Sequence, residues 1–261
     1  MFPLIMFMFL AAFQLQSSEC LAFACSEKSI FILAGQSNMA GRGGVAKGTW
    51  DGCVPRECRP DPRILRLNAN LVWEEAREPL HAGIDTSNPC GVGPGMSFAN
   101  LVLERDPCLG VIGLVPCAFG GTNITRWKRG SELYNRLLTR AYAALQDGGK
   151  IRAILWYQGE SDSTDETRAE MYKMRLIEFF LDIRRDLASP ALPIVQVALA
   201  SDVGPYFEVV REAQLRTELP NVVCVDAMGL EVKENDTLHL TTSAQVQLGK
   251  MLANAFLRIG I

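Results

Sequence analysis

Three side chains from two distant segments have the chemistry of a nucleophilic catalyst. Ser37 lies in the run GQSNMAG, directly after an apolar stretch, and His239 follows Asp236 by three residues near the other end of the chain. A serine hydroxyl is a weak nucleophile at neutral pH and needs an adjacent base. An imidazole can be that base because it titrates near neutrality. A carboxylate against its far ring nitrogen would fix the tautomer and stabilise the imidazolium.

Ester hydrolysis also requires hydrogen-bond donors for the negative oxygen that forms on attack. The candidates for this oxyanion hole are the backbone N–H of Ser37, the backbone N–H of Gly121 and the side-chain amide of Gln158. Two alternatives remain open. Gly120-Gly121 could be only a tight turn, since glycine tolerates positive φ, and Gln158 could tie neighbouring backbone segments together.

The three triad candidates have ordinary structural alternatives as well. Ser37 could be a turn serine, and His239 could simply support the start of the last helix. Asp236 could be a loop carboxylate, in which case Asp226 or Glu160 would orient the histidine.

The chain contains only two histidines, which excludes a multi-histidine metal site. His81 follows Pro79-Leu80, and we expect it to be a loop residue without a catalytic role. Trp127, next to Arg126, could belong to the core or flank the site. No pair of CxxC motifs is present, so we expect neither a structural zinc nor any other cofactor.

Alternating strands and helices would bring these candidate site residues together. Apolar runs that are hydrophobic on both faces predict a parallel sheet covered on both sides, an α/β fold in which ligands bind at the carboxyl ends of the strands. Thr242 and Gln245 predict a capping box at the start of the last helix. The predicted strands are residues 29–34, 110–116, 151–157, 193–199 and 221–225, and the predicted helices are 96–105, 131–146, 166–187, 206–218 and 243–258.

Residues 41–95 interrupt this alternation. They are rich in Gly, Pro, Cys and Asn, and we expect long excursions over one face of the sheet. The formal charge of the whole chain is −3, from 26 basic and 29 acidic residues. No basic field is therefore present to bind nucleic acid or an anionic membrane surface.

The first residues form a compositional outlier. Residues 1–18 carry no charge, and 4–13 are almost wholly apolar, which is the length of a signal-peptide core and too short to span a bilayer. A small-x-small site at 22–24 predicts cleavage before Cys25, with a cut near 17–18 or an apolar N-terminal element as alternatives. We therefore expect a secreted protein with one mature domain, residues 25–261.

The eight cysteines suit an oxidising compartment. Cys117 and Cys224 lie in apolar, strand-like runs, and we expect both to be buried free thiols. Sequence does not give the connectivity of the others. At least one disulfide is expected among the loop cysteines, which are Cys25, Cys53, Cys58, Cys90 and Cys108.

Five motifs together resemble a known family. They are FILAGQSNMAGRGG at 31–44, GVGPGMSFAN at 91–100, GLVPCAFGGTNI at 113–124, LWYQGESD at 155–162 and DTLHLTTSAQVQLG at 236–249. The chain resembles the SGNH hydrolase superfamily and, within it, the sialate O-acetylesterase-like (SASA) domain of carbohydrate esterase family six, as found in plant probable carbohydrate esterases. The resemblance covers nearly all of residues 29–257.

This resemblance implies a three-layer α/β/α fold and a serine esterase acting on acetylated sugars. It implies Ser37 as nucleophile, His239 as base, Asp236 as orienting acid and Gly121, or else Gly120, as oxyanion glycine. Gln158 occupies the place of the superfamily's oxyanion asparagine.

A glutamate is the acid in some relatives of that family, so Glu160 stays an alternative. Two functions remain open: a secreted acetylesterase of cell-wall polysaccharide such as xylan, which uses an acyl-enzyme intermediate, and a non-catalytic carbohydrate-binding protein on the same fold. The intact set of serine, histidine, aspartate and amide side chains favours the enzyme.

Overall fold

A seven-stranded sheet lies at the centre of the computed structural model, which describes residues 27–200, 204–234 and 236–259. The strand order is β5-β4-β6-β1-β7-β8-β9, and every neighbouring pair is parallel except β4 and β5. Two short hairpins, β2-β3 and β10-β11, lie outside this sheet. The strands are β1 (Lys28–Gly35), β2 (Val45–Ala46), β3 (Thr49–Trp50), β4 (Ile64–Leu67), β5 (Trp73–Glu75), β6 (Val111–Pro116), β7 (Lys150–Tyr157), β8 (Ile194–Ala198), β9 (Val222–Asp226), β10 (Val232–Lys233) and β11 (Asp236–Leu240).

Helices and short 3-10 turns fill the connections between these strands. The 3-10 turns are Arg56–Cys58, Pro107–Leu109 and Ile124–Trp127. The α-helices are α1 (Ser37–Ala40), α2 (Gly95–Arg105), α3 (Glu132–Leu145), α4 (Glu166–Glu170), α5 (Tyr172–Asp186), α6 (Phe207–Leu215) and α7 (Thr242–Arg258).

Helices cover both faces of the sheet. Phe31 of β1 packs against Phe256 of α7 with ring centroids 4.9 Å apart. Trp156 of β7 is in register with Ala34, three residues beyond Phe31, and packs against Phe179 of α5 at 4.6 Å. Residues three apart in a strand point to opposite faces, so α5 and α7 lie on opposite sides. The expected three-layer α/β/α fold with a mostly parallel sheet is confirmed.

The segment 41–95 does more than cross one face, which corrects the sequence-based expectation. It contributes β4 and the antiparallel edge strand β5 to the central sheet. Ile64 and Leu67 of β4 are fully buried. The buried Arg140 of α3 donates to the carbonyl oxygens of Leu67 and Pro116 at 2.5 and 2.7 Å, which ties β4 to β6.

The predicted helix 166–187 is two helices in the structure. Helix α4 starts after Asp165, whose side chain accepts a hydrogen bond from the Arg168 backbone N–H at 2.9 Å. It ends at Glu170, and α5 begins after Met171. The apolar periodicity continues across this break, which explains why the sequence pattern predicted one element.

The capping box predicted for the last helix is displaced by one residue. Thr241, not Thr242, has the extended conformation of an N-cap, and its hydroxyl accepts a hydrogen bond from the Ala244 backbone N–H. Gln245 is therefore not at the N3 position. Its amide instead donates to the backbone oxygen of Asn38 at 3.1 Å, next to the predicted nucleophile.

The structure bears on some of the expectations for the cysteines and the N-terminus. Cys117 is a buried free thiol, as expected, and Cys224 is a half-buried one. Cys53, Cys58 and Cys90 are free thiols, so these three do not supply the expected loop disulfide. The predicted signal peptide, 1–24, and Cys25 lie outside the described residues. No helix in the described part of the chain is long and apolar enough to cross a membrane.

A buried carboxyl group predicts how stability depends on pH. Glu78 is 9% exposed and accepts hydrogen bonds from the backbone N–H groups of Leu80 and Gly93. Burial nevertheless raises its pKa from 4.5 to about 8. Between these values the unfolded chain loses a proton that the folded protein retains, so the free energy of unfolding falls as pH rises through this window.

Glu78→Gln removes this titration. We expect the Tm of the variant minus the Tm of the wild type to be at least ~3 °C more positive at pH 8 than at pH 4. Differential scanning calorimetry measures it. Glu104→Gln, at an exposed position of α2, is the matched control and should show no such trend. Parallel Tm curves for Glu78→Gln and wild type would contradict the buried-carboxyl interpretation.

Candidate active site

The predicted nucleophile lies at the carboxyl end of the central strand β1. Gly35 ends this strand with φ +129°, and a Cβ atom there would lie 2.0 Å from the Tyr157 carbonyl oxygen. Only glycine fits so close an approach, and the chain then turns into α1, which begins at Ser37. Ser37 is 4% exposed. Its Oγ lies 2.9 Å from Nε2 of His239, a residue 202 positions further along the chain.

Strand β11 carries both His239 and Asp236. The imidazole Nδ1 lies 2.5 Å from Asp236 Oδ2. In a regular strand, residues three apart would point to opposite faces. The pairing with β10 is irregular here, because Val232 pairs with Leu240 while the next residue, Lys233, pairs with Asp236. The resulting bulge lets the carboxylate reach the ring.

Opposing effects set the protonation of this pair. Burial lowers the pKa of His239 below 6.5, and the hydrogen bond and charge of Asp236 offset this only in part. Burial also acts to raise the pKa of Asp236, but the hydrogen bond and charge of His239, aided by Lys233, hold it below its usual range. At neutral pH the arrangement is thus a neutral imidazole against an ionised carboxylate.

The geometry distinguishes between the two candidate oxyanion glycines. The Gly120 N–H donates to Asp85 Oδ2 at 3.1 Å, so it is not directed at a substrate. Gly121, with φ +69°, lines the cleft beside Ser37, and a Cβ there would meet nothing within 4 Å. In the described chain neither the Ser37 N–H nor the Gly121 N–H has a hydrogen-bond acceptor. Both are therefore available to a ligand.

The expectation that Gln158 donates into the oxyanion hole is wrong. Gln158 is fully buried. Its amide nitrogen donates to the Thr122 carbonyl at 2.9 Å and to Asp162 Oδ2 at 2.7 Å. An amide NH2 has only two hydrogens, so no donor remains for a substrate. Gln158 instead fixes the loop that contains Gly121, the alternative role foreseen from the sequence.

Gln36 is a further residue of the site, and it was not predicted from the sequence. Its Oε1 accepts from the Ser161 backbone N–H at 3.3 Å and lies 3.2 Å from Gln158 Nε2, whose two hydrogens are directed at Thr122 and Asp162. Its own Nε2 has no acceptor among the described residues, and Gln36 lines the cleft next to Ser37. The signal was its place in GQSNM, immediately before the nucleophile.

The alternative acids do not reach the imidazole. Glu160 lines the cleft, but its Oε1 accepts from Asn38 Nδ2 at 2.8 Å, and its buried Oε2 has no partner among the described residues. Burial raises the pKa of Glu160 to about 7. Asp226 pairs with Arg211 at 2.6 Å. Asp236 is thus the carboxylate that contacts His239.

Two further residues belong to the protein interior. His81 is buried outside the cleft, and burial lowers its pKa to about 3, so it is neutral. Trp127 is fully buried, packs edge-on against Trp156 and donates its indole N–H to Thr122 Oγ1 at 3.2 Å. Trp127 is therefore a core residue, and its hydrogen bond to Thr122 stabilises the loop that contains Gly121.

The triad opens on a cleft of about 550 Å³. Around it lie four cationic side chains and two acidic ones, although the whole chain is slightly acidic. Within the described residues no group of three or more His, Cys, Asp or Glu could hold a metal ion. The charged lining residues are Arg42, Lys47, Arg168, Lys233, Glu160 and Asp236.

Known proteins are similar to this chain in sequence and fold. Residues 27–258 match the model of a family described as carbohydrate esterase, sialic acid-specific acetylesterase. A probable carbohydrate esterase of Arabidopsis thaliana is 57% identical over 237 residues, which is 87% of this chain and 90% of that protein.

Two solved structures extend the comparison. The X-ray structure of that Arabidopsis protein superimposes with a TM-score of 0.86 at 55% identity, covering 89% of this chain and 98% of that one. A carbohydrate acetylesterase of Xanthomonas citri has the same fold, with a TM-score of 0.65 at 23% identity over 88% of this chain and 56% of that one. The chain thus belongs to the carbohydrate esterase family whose model it matches over nearly all its described length.

Proposed function

We propose that the protein is a serine esterase that removes O-acetyl groups from acetylated carbohydrate through an acyl-enzyme intermediate. One observation carries this proposal: an unbroken hydrogen-bonded chain runs from Asp236 through His239 to Ser37 and ends in an open cleft. A binding protein has no use for a serine hydroxyl directed at a neutral imidazole that is in turn held by an ionised carboxylate.

The geometry supports a two-step reaction. Ser37 Oγ attacks the acetyl carbonyl carbon while its proton passes to His239 Nε2, and Asp236 stabilises the imidazolium that forms. The tetrahedral intermediate collapses when Nε2 returns this proton to the departing sugar oxygen, which leaves acetyl-Ser37. Water then attacks the acetyl group, again giving a proton to Nε2. Collapse of the second intermediate returns that proton to Ser37 Oγ and releases acetic acid.

Three donors beside Ser37 suit the negative oxygen of these intermediates. They are the backbone N–H groups of Ser37 and Gly121 and the Gln36 side-chain amide, which is oriented by the hydrogen bond that its oxygen accepts from the Ser161 N–H. Donors that are fixed before reaction lower the barrier because nothing must reorganise when the charge appears.

The natural substrate and compartment are further parts of this proposal. We infer that the protein is secreted and acts on acetylated cell-wall polysaccharide such as xylan. The uncharged apolar start of the chain supports secretion. The open cleft and the plant origin of a 57% identical probable carbohydrate esterase support a cell-wall substrate.

Ser37→Ala tests the nucleophile. The variant should fold normally and lose at least ~10⁴-fold in kcat on p-nitrophenyl acetate and on acetylated xylan, because no acyl-enzyme can form. A serine-directed organophosphate should label Ser37 alone, as peptide mass spectrometry would show. Ser189→Ala, far from the cleft, is the control. Binding of acetylated polysaccharide by a wild-type protein without turnover would favour the non-catalytic alternative.

The acid–base pair predicts a pH profile. The base must be neutral, so kcat/KM should fall as pH drops through the pKa of His239, and burial places this pKa below 6.5. Asp236→Asn removes the interaction that raises this pKa, so the acid limb should move to still lower pH. It should also reduce kcat by ~10⁴-fold, because the tautomer is no longer fixed.

Asp226→Asn, which loses only the ion pair with Arg211, is the control for this carboxyl-to-amide change and should retain the wild-type profile. A mild effect of Asp236→Asn beside a severe effect of Glu160→Gln would instead identify Glu160 as the orienting acid.

A further inference from the structure

The residue after the nucleophile contacts the strand that carries the base. Asn38 Nδ2 donates to the Leu238 carbonyl at 3.1 Å, and Asn38 Oδ1 accepts from the Leu240 N–H at 3.0 Å. These two backbone groups flank His239 on either side. The Asn38 side chain thus bonds to β11 much as a neighbouring strand would, through one donor and one acceptor.

Strand β11 belongs to a short hairpin rather than to the central sheet. Its described strand partner is β10, a strand of only two residues, and the hairpin lies outside the central sheet. Isolated two-stranded hairpins are marginally stable. The position of His239 relative to Ser37 therefore depends on contacts made from the sheet, and Asn38 provides two of them. Asn38 is itself fully buried, and its backbone oxygen accepts from Gln245 on α7.

Glu160 determines which way the Asn38 amide points. Its Oε1 accepts the second Nδ2 hydrogen of Asn38 at 2.8 Å. If the amide were rotated by half a turn, Asn38 Oδ1 would face both this carboxyl oxygen and the Leu238 carbonyl. That orientation is unfavourable because buried acceptors without donors are costly. Glu160 is 2% exposed and makes no hydrogen bond to the imidazole, and in the described chain Asn38 is the one side chain that donates to its carboxyl group.

We propose that Asn38 and Glu160 are positioning residues: Glu160 fixes the amide orientation of Asn38, and Asn38 fixes the His239 backbone so that the imidazole stays within reach of Ser37. This inference rests on the triad proposed above. It assigns Glu160 a role other than orienting acid, and it explains why a carboxylate of the QGESD motif lies beside the cleft without a hydrogen bond to the base.

Exchanging the hydrogen-bond polarity of the pair tests this proposal. In Asn38→Asp a carboxylate oxygen replaces Nδ2 and faces the Leu238 carbonyl and Glu160. We expect kcat on p-nitrophenyl acetate at pH 8 to fall by about 100-fold, the scale of a misplacement of roughly 1 Å, with KM nearly unchanged. Adding Glu160→Gln supplies an amide donor to the new carboxylate and should restore kcat at least ~10-fold relative to Asn38→Asp alone.

Asn100→Asp is the matched control for the amide-to-carboxyl change. Asn100 Nδ2 also donates to two backbone carbonyls, those of Arg59 and Met96, but Asn100 lies on α2 outside the cleft. This variant should keep the wild-type kcat even if its Tm falls. A purely structural role of Asn38 would likewise change Tm, but not kcat, in the folded protein.

A second comparison applies if Asn38→Asp does not fold. Glu160→Ala leaves the Asn38 amide unfixed, whereas Glu160→Gln retains an accepting oxygen, so Glu160→Ala should lose at least ~10-fold more kcat than Glu160→Gln. Equal kcat values for these two would overturn the proposal. So would a wild-type kcat in Asn38→Asp, or a double variant no faster than Asn38→Asp.

The experiment also separates this inference from the proposed function. Wild-type protein without Ser37-dependent hydrolysis would overturn both the esterase proposal and the positioning role. Ser37-dependent hydrolysis without the polarity rescue would overturn the positioning role alone.

Discussion

The hydrogen bond between Ser37 Oγ and His239 Nε2 joins residues 202 positions apart, and most of the local structure around the cleft serves to preserve it. The two ends are supported differently. Ser37 follows the most central strand of the sheet, where Gly35 allows β1 and β7 to approach closely. His239 lies on a hairpin outside the sheet, so its position depends on side-chain hydrogen bonds.

Amide side chains connect the loops that follow β1, β6 and β7. Gln36 Oε1 accepts from the loop after β7, and Gln158 donates to Thr122 in the loop after β6. Asn38 continues the network to β11. Amides suit this task because each provides a donor and an acceptor without a charge. Fixed in this way, the loops can present backbone N–H groups that need little reorganisation during a reaction.

The sequence predicted what depends on residue type and periodicity. Five strands of the central sheet, and the meeting of the candidate site residues at their carboxyl ends, followed from apolar runs and from the rules of parallel sheets. It did not reveal β4 and β5, because these strands have only four and three residues and lie in a segment rich in Gly, Pro and Asn. The wrong assignment of Gln158 has a different cause. Composition identifies an amide, but only the fold determines whether it points at a ligand or at Thr122.

Two carboxyl groups beside the cleft show how environment distinguishes chemically similar residues. Asp236 stays partly exposed, and its contacts with His239 and Lys233 keep its pKa low, so it remains ionised wherever the imidazole is a competent base. Glu160 is buried without a cation, and its pKa rises to about 7. A buried carboxyl whose pKa is raised in this way is a poor partner for an imidazolium, but its unprotonated oxygen still accepts a hydrogen bond from Asn38 in either protonation state. The burial that makes Glu160 a weak electrostatic partner therefore does not impair its use as a fixed acceptor, which favours Asp236 as the triad acid and Glu160 as a positioning residue.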